Sequence, residues 1–524
     1  MKDKGVSVER LVPGLELALF HRDIKGGFGL LDDALPQVEA ALVSGCPSPS
    51  LLLCLAQWLD LGYGNAALFE VFAAALLRIH KEKLCMLDYL KLRLAQAYQA
   101  LTAEQMEKSI EILQLVLRID DGMLDRYYLF VAHFWKGRAH RKMGEYEQAS
   151  MHILAARGIA EEASAPRLIA VAKIHESWLA FQNGKRPYAL GLLDEAEAEL
   201  RPTGHILSLG NIESARGRFV RRAGEYERAL AHFEAAIVLY QQGFADHPNM
   251  ARAFVNAAYV KRLIALDLQP RKGHASGAVH ARSLALAHEA LELLQKAEGI
   301  YVKQHYQSGI GSVLVNAAHI HLESGDIDQA HTEAQRGYDL GQMRHDPILM
   351  ARSQSVLSAV DLARSEEQVG EPSEVATHAH QAVEHAESAI ALAGQTQNSR
   401  LLCEAYIARG MAAACEFTQD WETAKEYAAK AAALLSGQDR DHLAKQLATL
   451  KARLIGVTEV DELLRAWSSG YLGGKTFQQV QEEFAEMVIP RVWLRHGKNI
   501  SSVAKELSMS PKKVRRLLRN VDDA

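Results

Sequence analysis

Apolar residues recur at helical spacing along almost the whole chain. In the stretches that begin at Gly144 (GEYEQASMHILAARGIA), Gly184 (GKRPYALGLLDEAEAEL) and Gly224 (GEYERALAHFEAAIVLY) they fall in one register. Ala149, Ala189 and Ala229 are spaced by 40, and so are Ala156, Ala196 and Ala236. A fixed period of this length marks a repeat array. Each unit reads as helix, short turn, helix: the glycine ends the first helix in a left-handed conformation, and the alanines let the second pack closely. Degenerate copies follow from Gly325 to Ala330 and from Asp420 to Ala424. Longer units lie over 251–304, with a polar loop at 269–277, and over 347–394, with a loop near Gly370, while residues 49–119 keep the helical period. The pattern predicts an all-α fold with eight to ten helical pairs. It divides the chain into an N-terminal segment over 1–35, an array over 36–456, a linker over 457–476 and a last domain over 477–524.

These units resemble the tetratricopeptide repeat. They share its small residue in the first helix (Gly137, Gly217), its turn (Gly144 to Tyr146, Gly224 to Tyr226) and the small, large, small pattern of its second helix (Ala149, Ile153, Ala156; Ala229, Phe233, Ala236). The resemblance implies a right-handed helical-hairpin solenoid whose first helices line a concave groove. In such a groove a polar residue breaks an otherwise apolar helix. Asn256 (AFVNAAYV) and Asn316 (VLVNAAHI) occupy matching contexts, and an asparagine amide can bond both the N–H and the C=O of an extended peptide or, alternatively, a neighbouring helix. Arg138 and Arg222 are further groove candidates on first helices. The asparagine pair resembles the peptide-pheromone receptors of Gram-positive bacteria, which read a short peptide in a tetratricopeptide-like groove.

The last thirty residues have a different character. Asn499 can cap a helix whose apolar stripe is Val503, Ala504 and Leu507, and Ser510 followed by Pro511 restarts a second helix with Val514, Leu517 and Leu518 turned inward. Between 491 and 519 there are nine Lys/Arg and one acid, about +8, whereas the chain as a whole is −5, which leaves about −13 on the remainder. A basic tip on an acidic body suits phosphate neutralisation. From His496 to Leu518 the stretch resembles the Fis-type helix-turn-helix, with Ser508 where that family has its turn glycine and Val503-Ala504 in place of an alanine pair. The resemblance implies that the second helix enters the major groove of double-stranded DNA. Ser510, Lys512, Lys513, Arg515, Arg516, Arg519 and Lys498 are then the DNA-binding candidates. Arg516 is the candidate for guanine, since its planar fork can contact O6 and N7 together.

Composition narrows the remaining choices. With 48% hydrophobic and 23% charged residues and 13 prolines in 524 positions, this is an ordered chain. The five cysteines, odd in number and without a C-x-x-C, fit buried thiols in a reducing cytoplasm. The first twenty residues lack the features of a signal peptide, and Asp60, Gly62, Gly64 and Glu70 interrupt the most apolar stretch, 51–79, so no membrane association is expected. Gly470 to Thr476 lacks the first glycine of a phosphate loop. The histidine groups at 319/321 and 378/380/385 lack i, i+3 or i, i+4 spacing, so no metal, cofactor or catalytic centre is expected. The sequence thus predicts a cytoplasmic, non-enzymatic transcription regulator. Its array senses a peptide, small-molecule or protein effector and controls a terminal DNA reader, which acts as a homodimer because one such module buries little surface. The alternative is a protein-binding scaffold or adaptor whose basic tail does not read DNA sequence.

Overall fold

Alternating helices and tight turns build the chain in the computed structural model, which describes residues 8–120, 122–268, 277–367, 372–435, 437, 439–458, 474–496 and 498–522. The chain divides into two units, Met1–Leu450 and Lys451–Ala524. The first is an all-α, tetratricopeptide-like right-handed solenoid. It opens with α1 (Val12–Phe20), α2 (Ile24–Ser44), α3 (Pro49–Asp60) and α4 (Ala66–Arg78). Eight regular hairpins follow: α5 (Met86–Thr102) with α6 (Met106–Ile119), α7 (Arg126–Met143) with α8 (Tyr146–Glu162), α9 (Pro166–Gln182) with α10 (Arg186–Leu200), and α11 (Ile206–Arg222) with α12 (Tyr226–Gln241). They continue as α13 (Pro248–Leu268) with α14 (Gly277–Lys303), α15 (Gln307–Glu323) with α16 (Ile327–Arg344), α17 (Pro347–Glu366) with α18 (Pro372–Ala393), and α19 (Ser399–Ala413) with α20 (Trp421–Leu434). A single helix, α21 (His442–Thr458), follows the last hairpin.

The repeat chemistry explains the hairpins. Gly144, Gly184, Gly224 and Gly325 take φ between 76° and 82°. The amide after each donates to a carbonyl five residues back, for example Glu145 N to His140 O at 3.0 Å and Lys185 N to Ala180 O at 2.9 Å. This is the left-handed stop that glycine supplies without Cβ strain. Ala149, Ala189, Ala229, Ala156, Ala196 and Ala236 are all fully buried, so the absence of larger side chains is what sets the close approach of each hairpin's two helices.

The N-terminal segment set apart over 1–35 packs with the array in its described residues. Leu15, Leu19 and Leu31 are fully buried in the same core as residues 51–219, and α2 runs straight through position 36 with Pro36 inside it. The first helices belong to the array because their apolar faces have no core of their own. Most of the linker expected over 457–476, residues 269–276 of the loop at 269–277, and Gly370 lie outside the described residues.

The solenoid also touches itself. Glu104, in the α5–α6 turn, accepts from the first amides of α15, Gln307 N at 3.0 Å and Ser308 N at 3.1 Å, and Arg344 at the end of α16 donates to Ala103 O at 3.0 Å. Further along, Gln397 N donates to Gly144 O at 3.0 Å, and Arg222 Nε donates to Asp439 Oδ1 at 2.8 Å. Turns of the first half therefore dock on loops of the second half and close the inner surface into a cavity.

The second unit holds α22 (Phe477–Arg495), α23 (Ile500–Glu506) and α24 (Pro511–Asp522) around Ile489, Val492, Val503, Ala504, Val514, Leu517 and Leu518. No helix among the described residues is long and apolar enough to cross a membrane.

Candidate functional site

The first helices of successive hairpins present side chains at i, i+3 and i+7 to a cavity of about 1210 Å³. The rows repeat every 40 residues across α7, α9 and α11: Val131, Val171 and Asn211; Phe134, Ile174 and Ser214; Arg138, Trp178 and Arg218. On α13 the same spacing is kept by Asn249, Arg252 and Asn256. Along the first two rows the lining changes from apolar on α7 and α9 to polar on α11 and α13, so the cavity has an oily end and a hydrogen-bonding end. A smaller cavity of about 270 Å³ adjoins the polar end and shares Arg218, Arg252, Asn256 and Tyr306.

Eight Lys/Arg line the larger cavity against three acids, Asp60, Glu70 and Asp246, so a chain of net charge −5 encloses a cationic interior. Arg138 is neutralised by Asp60, which also accepts from Trp135 Nε1 at 2.9 Å. Arg141 lies over the Trp178 ring at 5.3 Å, and its Nε is buried without a hydrogen-bond partner. Arg218 donates to Ser214 O at 3.3 Å, and Arg252 to Asn249 Oδ1 at 3.2 Å and to the Tyr306 hydroxyl. Burial, followed by the neighbouring guanidiniums, lowers Arg141 to about 10 and Arg218 to about 9. Both keep their charge at neutral pH. Burial works against the charge of Arg252 too, but the phenols of Tyr306, Tyr301 and Tyr240 more than offset it. His175 is pushed well below its ordinary range by burial and by Arg141, Arg138, Arg218 and Arg252, and therefore stays neutral.

The residues singled out from sequence divide accordingly. Arg138 and Asn256 line the cavity. Asn256 Nδ2 is engaged with Arg252 O at 2.8 Å, which leaves its carbonyl oxygen to receive a donor. Asn316 is 2% exposed, donates to Ser312 O at 2.6 Å in its own helix, and lines neither cavity. Arg222 also lies off both cavities, held by Asp439 and stacked on Phe181 at 4.9 Å. Sequence reading missed Arg141, Arg218, Arg252 and Trp178. The 40-residue spacing of Arg138, Trp178 and Arg218 was the signal that could have found the row.

In the C-terminal unit, Asn499 Oδ1 accepts from Ser501 N at 3.0 Å and Ser502 N at 3.1 Å, and Ser510 Oγ from Lys513 N at 3.3 Å. Ser508 takes φ 51°, and Met509 N donates to Ala504 O at 2.9 Å, so serine performs the left-handed stop that glycine performs in the array. Lys512, Lys513, Arg515 and Arg516 are exposed along one helix, Arg516 with a 3.9 Å approach to Glu482. Lys498 lies over Trp493 at 5.5 Å, and the side chain of Arg519 lies outside the described residues.

Comparison with known protein families finds no match, and comparison with curated proteins finds none either. Among solved structures the chain is similar to a Rap protein complexed with competence and sporulation factor (13% identity, 78% of this chain and 97% of that one, TM-score 0.48). It is also similar to NprR in complex with its cognate peptide NprX (13%, 74% and 98%, TM-score 0.44) and to aspartyl phosphate phosphatase F from Bacillus subtilis (14%, 84% and 96%, TM-score 0.41).

Proposed function

We propose that the chain is a one-component transcription regulator: the solenoid cavity binds a short peptide effector, and the three C-terminal helices bind double-stranded DNA. The observation that carries the first half is the cavity itself. Its volume exceeds the roughly 300–1,000 Å³ of small-molecule sites, and its lining offers apolar positions at one end and hydrogen-bonding groups at the other, as an extended peptide requires. The second half is supported by the row of exposed cations on α24, whose apolar face is buried against α22 and α23. Cations held on a rigid helix neutralise phosphates at little entropic cost.

Binding of the full chain to duplex DNA, measured by fluorescence anisotropy over a range of salt, tests this reading. A steep salt dependence is expected. Replacing Lys512, Lys513, Arg515 and Arg516 together by alanine should lower the slope of log K against log salt by about 3 to 4, at ~0.9 for each phosphate that is no longer neutralised. An unchanged slope would assign the protein to the scaffold class, with its output in the solenoid.

A further inference from the structure

Several arginines of the solenoid interior have an acid of their own: Arg138 has Asp60, Arg222 has Asp439, Arg262 has Glu323, Arg344 has Glu104 and Arg400 has Asp441. Arg141, Arg218 and Arg252 differ. All three line the same cavity, they come from α7, α11 and α13, and none has a carboxylate partner among the described residues. Two of them extend into the adjoining smaller cavity as well. Like charges that face one another across a half-buried space raise the energy of the empty protein, and planar guanidinium forks are the groups best shaped to hold an oxyanion.

We propose that Arg141, Arg218 and Arg252 form an anion-binding subsite and that the effector is an acidic peptide whose carboxylates enter it. The proposal rests on the peptide-groove reading above and adds the ligand's charge and its direction. The carboxylates lie among the three guanidiniums, and the open carbonyl of Asn256 is left to accept a backbone N–H of the peptide. Apolar residues lie toward Phe134 and Ile174, where the lining offers little to a charged group. Trp178 holds Arg141 by its ring, which leaves the guanidinium edge free for the ligand. A peptide is favoured over a compact anion because the three guanidiniums take up only part of a cavity of about 1210 Å³.

The test uses the full chain with three heptapeptide pools, acidic, neutral and basic, and with inorganic phosphate and ATP as separate probes, read by isothermal titration and thermal shift. Acidic peptides should bind at least about tenfold more tightly than neutral ones. That preference should disappear in the double variant Arg218→Met, Arg252→Met. Without ligand, the same variant should keep a cooperative thermal transition, because it breaks no ion pair and gives up only the hydrogen bonds of Arg218 to Ser214 O and of Arg252 to Asn249 and Tyr306. A neutral or basic preference, or an acidic preference that survives the double variant, overturns the subsite and leaves the peptide groove standing. Binding of phosphate or ATP with no acidic peptide overturns the peptide. No binding by any pool or probe overturns both the subsite and the groove.

Discussion

Ser508 carries the local physics of the C-terminal turn in one residue. At φ 51° it occupies the backbone region that glycine fills at the solenoid turns, and a Cβ there costs about 1–2 kcal/mol. Ser508→Gly recovers part of this, reduced by the extra backbone freedom of glycine in the unfolded chain, so a gain of about 0.5–1 kcal/mol is expected. Amide hydrogen exchange of the C-terminal helices, measured across a denaturant series, would report it. A loss on substitution would mean that the serine side chain itself holds the turn, and the left-handed stop would not be its weak point. The same physics explains why the sequence identified the caps at Asn499 and Ser510 correctly: a side-chain oxygen next to an orphan amide is a local event that needs no tertiary information.

At the scale of the element, the hairpins depend on what is missing from them. A Cβ at Gly217 would lie 2.8 Å from the ring of Phe233, which is fully buried across the α11–α12 interface and has no room to retreat. Gly217→Ala is therefore expected to destabilise by about 1–3 kcal/mol, read as a lower midpoint of thermal unfolding, whereas Gly191→Ala, where a Cβ meets nothing, should be neutral or stabilising. Equal effects at the two positions would contradict the close-packing account. Such positions were legible because the glycine and alanine periods are written directly into the chain. The groove residues were only half legible. Arg138 and Asn256 line the cavity, whereas Arg222 and Asn316, which share helices or sequence contexts with lining residues, do not. Position along the helix decides as much as the face does: Arg222 lies one turn beyond Arg218 on the same face, at the end of α11, where the chain leaves the cavity and meets Asp439. The acid that claims it is more than two hundred positions away, and no local pattern announces that pairing. Nor could the period reveal that α1 and α2 share the solenoid core, because their sequences carry no copy of the repeat.

For the whole molecule, closure of the solenoid brings titratable groups from distant repeats into one interior, and this fixes a pH dependence. Burial, with help from neighbouring cations, lowers His152, His205 and His442 to about 3 and His247 to about 4, and places His175 and His319 well below the ordinary value. In the unfolded chain each titrates near 6.5. A depressed folded pKa means that the stability is complete above about 6.5 and is lost progressively as pH falls toward 3 to 4, because only the unfolded chain then takes up the proton. Buried Glu323, Glu404 and Asp346, raised by burial, act in the opposite sense, but they are fewer. The melting temperature should therefore hold steady between pH 8 and 7 and drop on acidification through about 6 to 5, each fully linked histidine contributing roughly 1 kcal/mol per pH unit. A flat profile through that window would contradict the buried, neutral state assigned to these rings.

The central claim is that a cationic effector cavity and a DNA reader share one chain, and the reader is tested most directly by selection of duplexes from a random pool with the full-length protein, repeated with Arg516→Ala. The account predicts enrichment of a twofold-symmetric sequence, with two half-sites about one helical turn apart, and loss of discrimination at a guanine in the variant. Recovery of the unselected pool by the parent protein, or the same enriched sequence from both proteins, would contradict it.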